Sequence, residues 1–331
     1  MAKLREPTDS FTIKYPKLIE FTDRQLQQQY WRWDEILVDK DKHQFYTELT
    51  EAERHAISVA AKLFVKYEVE IGDEYWNGVV AKMYPRHEVR RMAAAFAMTE
   101  LCIHAPFYAE INRIIGLDRD EFWNSWKEDE AMTDRVKFLD EAASKSDLHS
   151  LAVFSMTEGS VLYSSFALFK SYGSNGHNLI PNFIAGINQS HLDEDLHHLA
   201  GAYLFKTDLK ESRLAKEKKD ELFSSVQQAA QKIFEHECLI IDKFFEKGEL
   251  RGITKNQFIT FLKMRLNYCL GNLGIDPIFV VEDSEDKSVY DWFGAKAKAY
   301  VANDFFNRLG SEYETRFKKE AFAWKVLEEN V

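Results

Sequence analysis

At 331 residues, with 45% apolar and 14% aromatic side chains, the chain can bury a large core and does not have the composition of a disordered protein. Its 43 basic against 54 acidic residues give a net charge of −11, which speaks against a binder of nucleic-acid backbones. Only 14 Gly and 6 Pro interrupt it, too few for a many-stranded sandwich or barrel, and 3 scattered cysteines (Cys102, Cys238, Cys269) offer neither a disulfide framework nor a CxxC zinc pair.

The N-terminus, Met1-Ala-Lys-Leu-Arg-Glu-Pro7, lacks the apolar stretch of a signal peptide, so a cytoplasmic location is expected. Residues 1–45, rich in Tyr, Trp and Gln, are expected to form an arm wrapping the rest. Thr50-Glu51-Ala52-Glu53 then has the look of a helix cap, followed by apolar positions Ile57, Ala60, Ala61, Phe64 and Val65 at helical spacing. Further helical patterns run from about Glu88 to Ile115, ending at Gly116, from Leu148 to Tyr172, and from Asn182 to about Phe205. Two more follow at 211–247 and 255–272, and the short basic stretch Arg213–Lys219 reads as a solvated helix face. No alternating strand and no internal repeat is evident. One helical domain over 46–282 is predicted, with residues 283–331 as a charged, less periodic tail.

Two stretches set a carboxylate and a histidine one helical turn apart, Glu100-Leu-Cys-Ile-His104 and Glu194-Asp-Leu-His197, so each can aim an oxygen and a nitrogen at one point. From Leu151 to Phe169 the only charged side chain is Glu158, on a helix apolar on nearly every face. A membrane span is the other use of such a helix, but no second segment compares with it. Burying a lone carboxylate costs several kcal/mol, or its charge, unless a cation compensates it. Phe64-Val-Lys-Tyr-Glu68-Val-Glu70-Ile71 supplies a further carboxylate, either Glu68 or Glu70. Four glutamates and two histidines on four helices make an oxygen-rich set suited to a pair of iron or manganese ions.

With these residues in order, the chain resembles the radical-generating small subunit of class I ribonucleotide reductase. Asp193-Glu194-Asp195-Leu196-His197 is similar to that family's Asp-Glu-x-x-His motif, and Tyr108 follows His104 by four, as the family's tyrosine follows its histidine. Trp31-Arg32-Trp33-Asp34-Glu35 resembles its N-terminal Trp-Arg-x-x-Glu segment, and Glu53-Arg54-His55 the start of its first ligand helix, from which a count of thirteen reaches Glu68. Leu162 and Phe166 fall at the apolar positions around the family's radical pocket. The likeness covers roughly residues 25–280.

The resemblance implies an all-α, ferritin-like bundle with peripheral helices, a dinuclear centre of Fe, Mn or one of each, and Glu68, Glu100, His104, Glu158, Glu194 and His197 as its ligands. It implies a stable radical on Tyr108, with Trp31 and Asp193 starting its exit route. Asn303-Asp-Phe-Phe-Asn-Arg-Leu-Gly-Ser-Glu-Tyr313 resembles the family's relay segment, making Tyr313 the relay tyrosine, with Tyr290, Tyr300 and Trp324 as rivals. It further implies a homodimer, a large subunit that binds the nucleotide and is docked by the tail, and in some members a flavoprotein activator. His198 competes with His197. The family spaces its first Glu and His by three where this chain has four; with Pro106 just beyond, a bulged π turn is expected there. The alternative reading is a dimetal oxidase or oxygenase acting on a small organic substrate, which would use the metal ligands without Trp31, Tyr108 or the tail.

Overall fold

The computed structural model describes residues 3–174 and 176–294; Tyr300, Tyr313, Trp324 and the rest of the tail beyond 294 lie outside them. All regular structure among the described residues is helical. The elements that build the core are α1 (Pro16–Asp23), α2 (Glu51–Glu70), α3 (His87–Thr99), α4 (Ala105–Ile114), α5 (Glu130–Ala143), α6 (Asp147–Ser160), α7 (Tyr163–Ser171), α8 (Pro181–Ser212), α9 (Lys216–Phe244) and α10 (Lys255–Leu273).

α2 opens with a full capping box: Thr50 accepts from the Glu53 amide at 3.2 Å while Glu53 accepts from the Thr50 amide at 2.7 Å. It does not stop at Glu70, but widens into a π-helical segment, Ile71–Val80. α3 runs into a second π turn, Glu100–His104, where the Ala105 amide bonds back five residues to the Glu100 carbonyl. Pro106 follows in the first turn of α4, where, lacking an N–H, it cannot donate back into the π turn that α4 continues. The two π segments touch at Gly72, where a β-carbon would lie 2.8 Å from Leu101 Cγ and 3.2 Å from Glu100 Cβ.

The stretch 148–172, expected as one helix, is two. α6 ends at Ser160 and α7 starts at Tyr163. The break frees backbone carbonyls inside the core, and side chains of other helices take them. Arg135 of α5 donates to the Val161 carbonyl at 2.8 Å, and Arg265 and Cys269 of α10 donate to that of Gly159. Together Asp147–Ser171 is the one stretch among the described residues long and apolar enough to cross a membrane, and its apolar window is wholly buried inside the bundle.

Between Gly116 and Leu148, where the periodicity marks no element, the chain forms the short helix Asp120–Asn124 and then α5. The basic stretch Arg213–Lys219 is not one helix face. Arg213 turns the chain at φ 52°, and Lys216–Lys219 begins α9. α8, the longest helix, packs along α6 and beside α7 and α10, while α2 lies against α4 and α9. Its N-terminus is capped from the N-terminal arm: Asp41 accepts from the Phe183 amide and from Asn182 Nδ2, both at 2.7 Å.

Candidate metal centre

At the middle of the bundle, atoms of Glu68, Glu100, His104 and Glu194 lie within 4.8 Å of one another, and so do atoms of Glu100, Glu158, Glu194 and His197. The two groups share Glu100 and Glu194, so the cluster has two halves joined by two carboxylates. Each half adds one further glutamate and one histidine. All six side chains are buried to 2% exposure or less. All six residues singled out in the sequence therefore meet in one place.

The rivals do not join them. Glu70 is two-fifths exposed and pairs with Lys66 on the outside of α2. His198, one residue from His197, points across α8 to Ser155, whose carbonyl lies 2.7 Å from Nδ1, and to Asn272, whose Nδ2 lies 3.0 Å from Nε2. Burial pushes His198 down to about 4, so it is a neutral ring tying helices together.

Both cluster histidines turn Nδ1 inward. His104 Nδ1 is 2.8 Å from Glu100, 3.2 Å from Glu194 and 3.5 Å from Glu68. His197 Nδ1 is 2.6 Å from Glu100, without hydrogen-bond alignment, and 3.7 Å from Glu194. Their outer nitrogens are held from behind. His104 Nε2 meets Asp193 Oδ2 at 3.1 Å, and His197 Nε2 meets Gln25 Oε1 at 3.1 Å. Asp193 also accepts from the Trp31 indole at 2.8 Å, so Trp31, Asp193 and His104 form one hydrogen-bonded line out of the cluster. Glu158 Oε1 accepts from the Trp76 indole at 2.7 Å.

These groups cannot all be charged in so dry a place. Burial, then the charges of Glu100 and Glu194, push Glu68 well above the usual carboxylate range; burial, then Glu194 and Glu100, do the same to Glu158. Glu100 is held low: burial opposes its charge, and His104 and His197 outweigh it. His197 is pushed up to about 9, against burial, chiefly by Glu100. Glu68 Oε1 and Oε2, Glu158 Oε2, Glu194 Oε1 and Oε2 and His197 Nδ1 are all buried without a hydrogen-bond partner. Four carboxylates balanced in charge by two divalent cations would satisfy these atoms at once, with oxygen and imidazole donors that suit iron or manganese. The residues fit a dinuclear metal centre.

Tyr108 is 1% exposed, with its ring 6.4 Å from that of His104 and 4.3 Å from that of Phe64. Leu162 and Phe166 are buried in the same core, Phe166 6.0 Å from Phe64. Burial, then Glu68, hold the phenol well above its ordinary range. Tyr290 stands apart on the surface in the helical stretch 288–294, 38% exposed.

Gln25 and Trp76 were not picked out from the sequence. Trp76 lies eight residues after Glu68, about two helical turns, which is the signal that places it on the same face. Gln25 sits in a Gln-rich run with no spacing rule attached to it.

The family model described as "Ribonucleotide reductase, small chain" matches residues 8–287. A viral relative, "Probable ribonucleoside-diphosphate reductase small subunit 048L" of Invertebrate iridescent virus 3, is 24% identical over 305 residues, covering 86% of this chain and 78% of its own. Among solved structures, a Bacillus halodurans protein described as a class I ribonucleotide reductase superposes with a TM-score of 0.75 at 19% identity, over 85% of this chain and 99% of that one. Dimanganese(II)-NrdF of Streptococcus sanguinis gives 0.71 at 16% identity, over 86% of this chain and 98% of that one. These likenesses establish the ferritin-like helical fold.

Proposed function

The chain belongs to the ribonucleotide reductase small-chain family, and we propose that its buried cluster holds two metal ions and makes a stable radical on Tyr108. The observation that carries this is the pair of overlapping ligand sets sharing Glu100 and Glu194, with Tyr108 one turn beyond His104. Glu68 and His104 would complete one ion's ligands, Glu158 and His197 the other's. When bound, such a pair in its reduced state would give electrons to O2, and the oxidising power so gained from O2 would remove one electron from a tyrosine.

The chain's own residues do the rest. Burial, then Glu68, hold the Tyr108 phenol above its ordinary range, so forming a neutral radical there releases the phenolic proton as well as an electron. Phe64 and Phe107 pack around the ring and keep water from it. His104, Asp193 and Trp31 offer a continuous hydrogen-bonded route toward the surface. From there Tyr313 would relay the oxidising equivalent to a large subunit docked by the C-terminal tail, which would hold the ribonucleotide and the reducing cysteines. Iron is the first expectation for the ions. Manganese is supported by the dimanganese Streptococcus relative and a mixed pair fits the same ligands; manganese would bring in a flavoprotein activator. A cytoplasmic homodimer belongs to the same reading.

Low-temperature electron paramagnetic resonance on metal-loaded, O2-exposed protein tests it, with metal measured on the same sample. The expected result is about two ions per chain, as a dinuclear site requires, and a tyrosyl signal that disappears in Tyr108→Phe while metal content stays. A chain that binds no stoichiometric metal, or a signal unchanged in Tyr108→Phe, would overturn it.

A further inference from the structure

Asp193 is served by more donors than the route through Trp31 needs. Its Oδ1 accepts from Gln25 Nε2 at 3.0 Å and from Gln29 Nε2 at 3.1 Å, while Oδ2 takes Trp31 and His104. Gln25 is 1% exposed, and its amide oxygen is the partner of His197 Nε2. It comes from the π turn Arg24–Gln28 that ends α1, where the Gln29 amide bonds back to the Arg24 carbonyl. That turn puts Gln25 and Gln29 over one carboxylate.

We infer that Gln25 is a positioning residue which holds both ligand histidines through one side-chain amide. The orientation follows from donor and acceptor chemistry. The amide nitrogen must face the Asp193 carboxylate, so the oxygen must face His197, and His197 Nε2 must be the donor. His104 Nε2 also faces Asp193 and must donate. Both rings thus keep a hydrogen on Nε2 and turn Nδ1 toward the carboxylates. Turning the amide over would set its N–H groups against the His197 N–H and its oxygen against Asp193, losing both bonds at once. Gln29 donates to Asp193 while its oxygen accepts from Arg24 Nε, so within the centre it supports only the His104 side.

This rests on the metal-centre reading, and titration of the apoprotein with Mn(II) can tell the two apart. Calorimetry gives the affinity, and the Mn(II) resonance spectrum reports the ligand field. Outer partners of metal-bound histidines are worth about 10–100-fold in affinity. Gln25→Leu is expected to weaken Mn(II) binding by that much and to alter the spectrum, with Gln29→Leu weaker in both effects. Melting of the apoproteins checks that each variant folds; should Gln25→Leu fail, Gln25→Asn, which keeps the amide on a side chain one methylene too short to reach both Asp193 and His197, is expected to bind between parent and leucine-like loss. Parent-like affinity and spectrum in the folded Gln25 variant, or equal losses in Gln25→Leu and Gln29→Leu, would overturn the inference. If the parent itself takes up no Mn(II), it is the metal-centre reading that falls.

Discussion

Glu100 and His104 reach the cluster from a π turn, whereas Glu194 and His197 reach it from unbroken α-helix. One pair is four residues apart and the other three, yet both turn Nδ1 of the histidine inward and both share their carboxylate between the two halves. Spacing alone therefore does not set the geometry; the turn that carries the spacing does. In α-helix each residue advances about 100°, so one extra residue would turn His104 and everything after it by that much relative to Glu100. The wider turn absorbs that residue and returns α4 to register, with Tyr108 still facing the core.

The largest break in this likeness comes from the shared carboxylates. Glu100→Ala or Glu194→Ala is expected to cost both ions, with uptake more than about a hundredfold weaker, beyond the loss of any outer partner. Glu68→Ala or Glu158→Ala should cost one ion, and metal content after desalting separates the cases. A smaller effect falls on one half only. Trp76→Phe removes the donor to Glu158 and leaves that oxygen buried without a partner, so the ion on that side should bind about 10–100-fold more weakly while the other is unmoved. Calorimetry resolving two sites would show it. Smallest is deletion of Cys102, which converts the π turn to an α turn with three-residue spacing. Binding should stay within a factor of about three, under ~1 kcal/mol; loss of all binding would show that the π turn itself shapes the site.

Most of the centre was legible because it depends on local rules. Helix periodicity and the solitary Glu158 in an apolar run point inward without any knowledge of neighbours. The choice between Glu68 and Glu70 was open, since residues two apart point to different faces and only the position of α2 in the bundle decides which is inside. The Glu100–His104 π turn was readable from an anomalous spacing followed by Pro106. The Ile71–Val80 segment was not, because nothing in Ile-Gly-Asp-Glu-Tyr-Trp-Asn-Gly-Val-Val distinguishes a π from an α turn before Glu100 packs on Gly72. Nor was the α6–α7 break, whose carbonyls are answered by arginines about 26 and 106 positions away. Gln25 belongs to the same class, since a hydrogen bond across the fold leaves no periodic trace.

That break has a bearing on the centre's mechanics. Glu158 stands three residues before Val161, on the last turn of a helix whose outgoing carbonyls are gripped by Arg135 and Arg265 instead of by its own continuation. Arg135 is in turn paired with Glu237 of α9 at 2.7 Å, and Arg265 with Asp195 of α8 at 2.7 Å. Of the four carboxylates, this one hangs on a joint clamped by side chains of four other helices. A disturbance at α5, α8, α9 or α10 has a lever arm reaching the cluster through Glu158, so this is the ligand through which distant parts of the bundle can be felt.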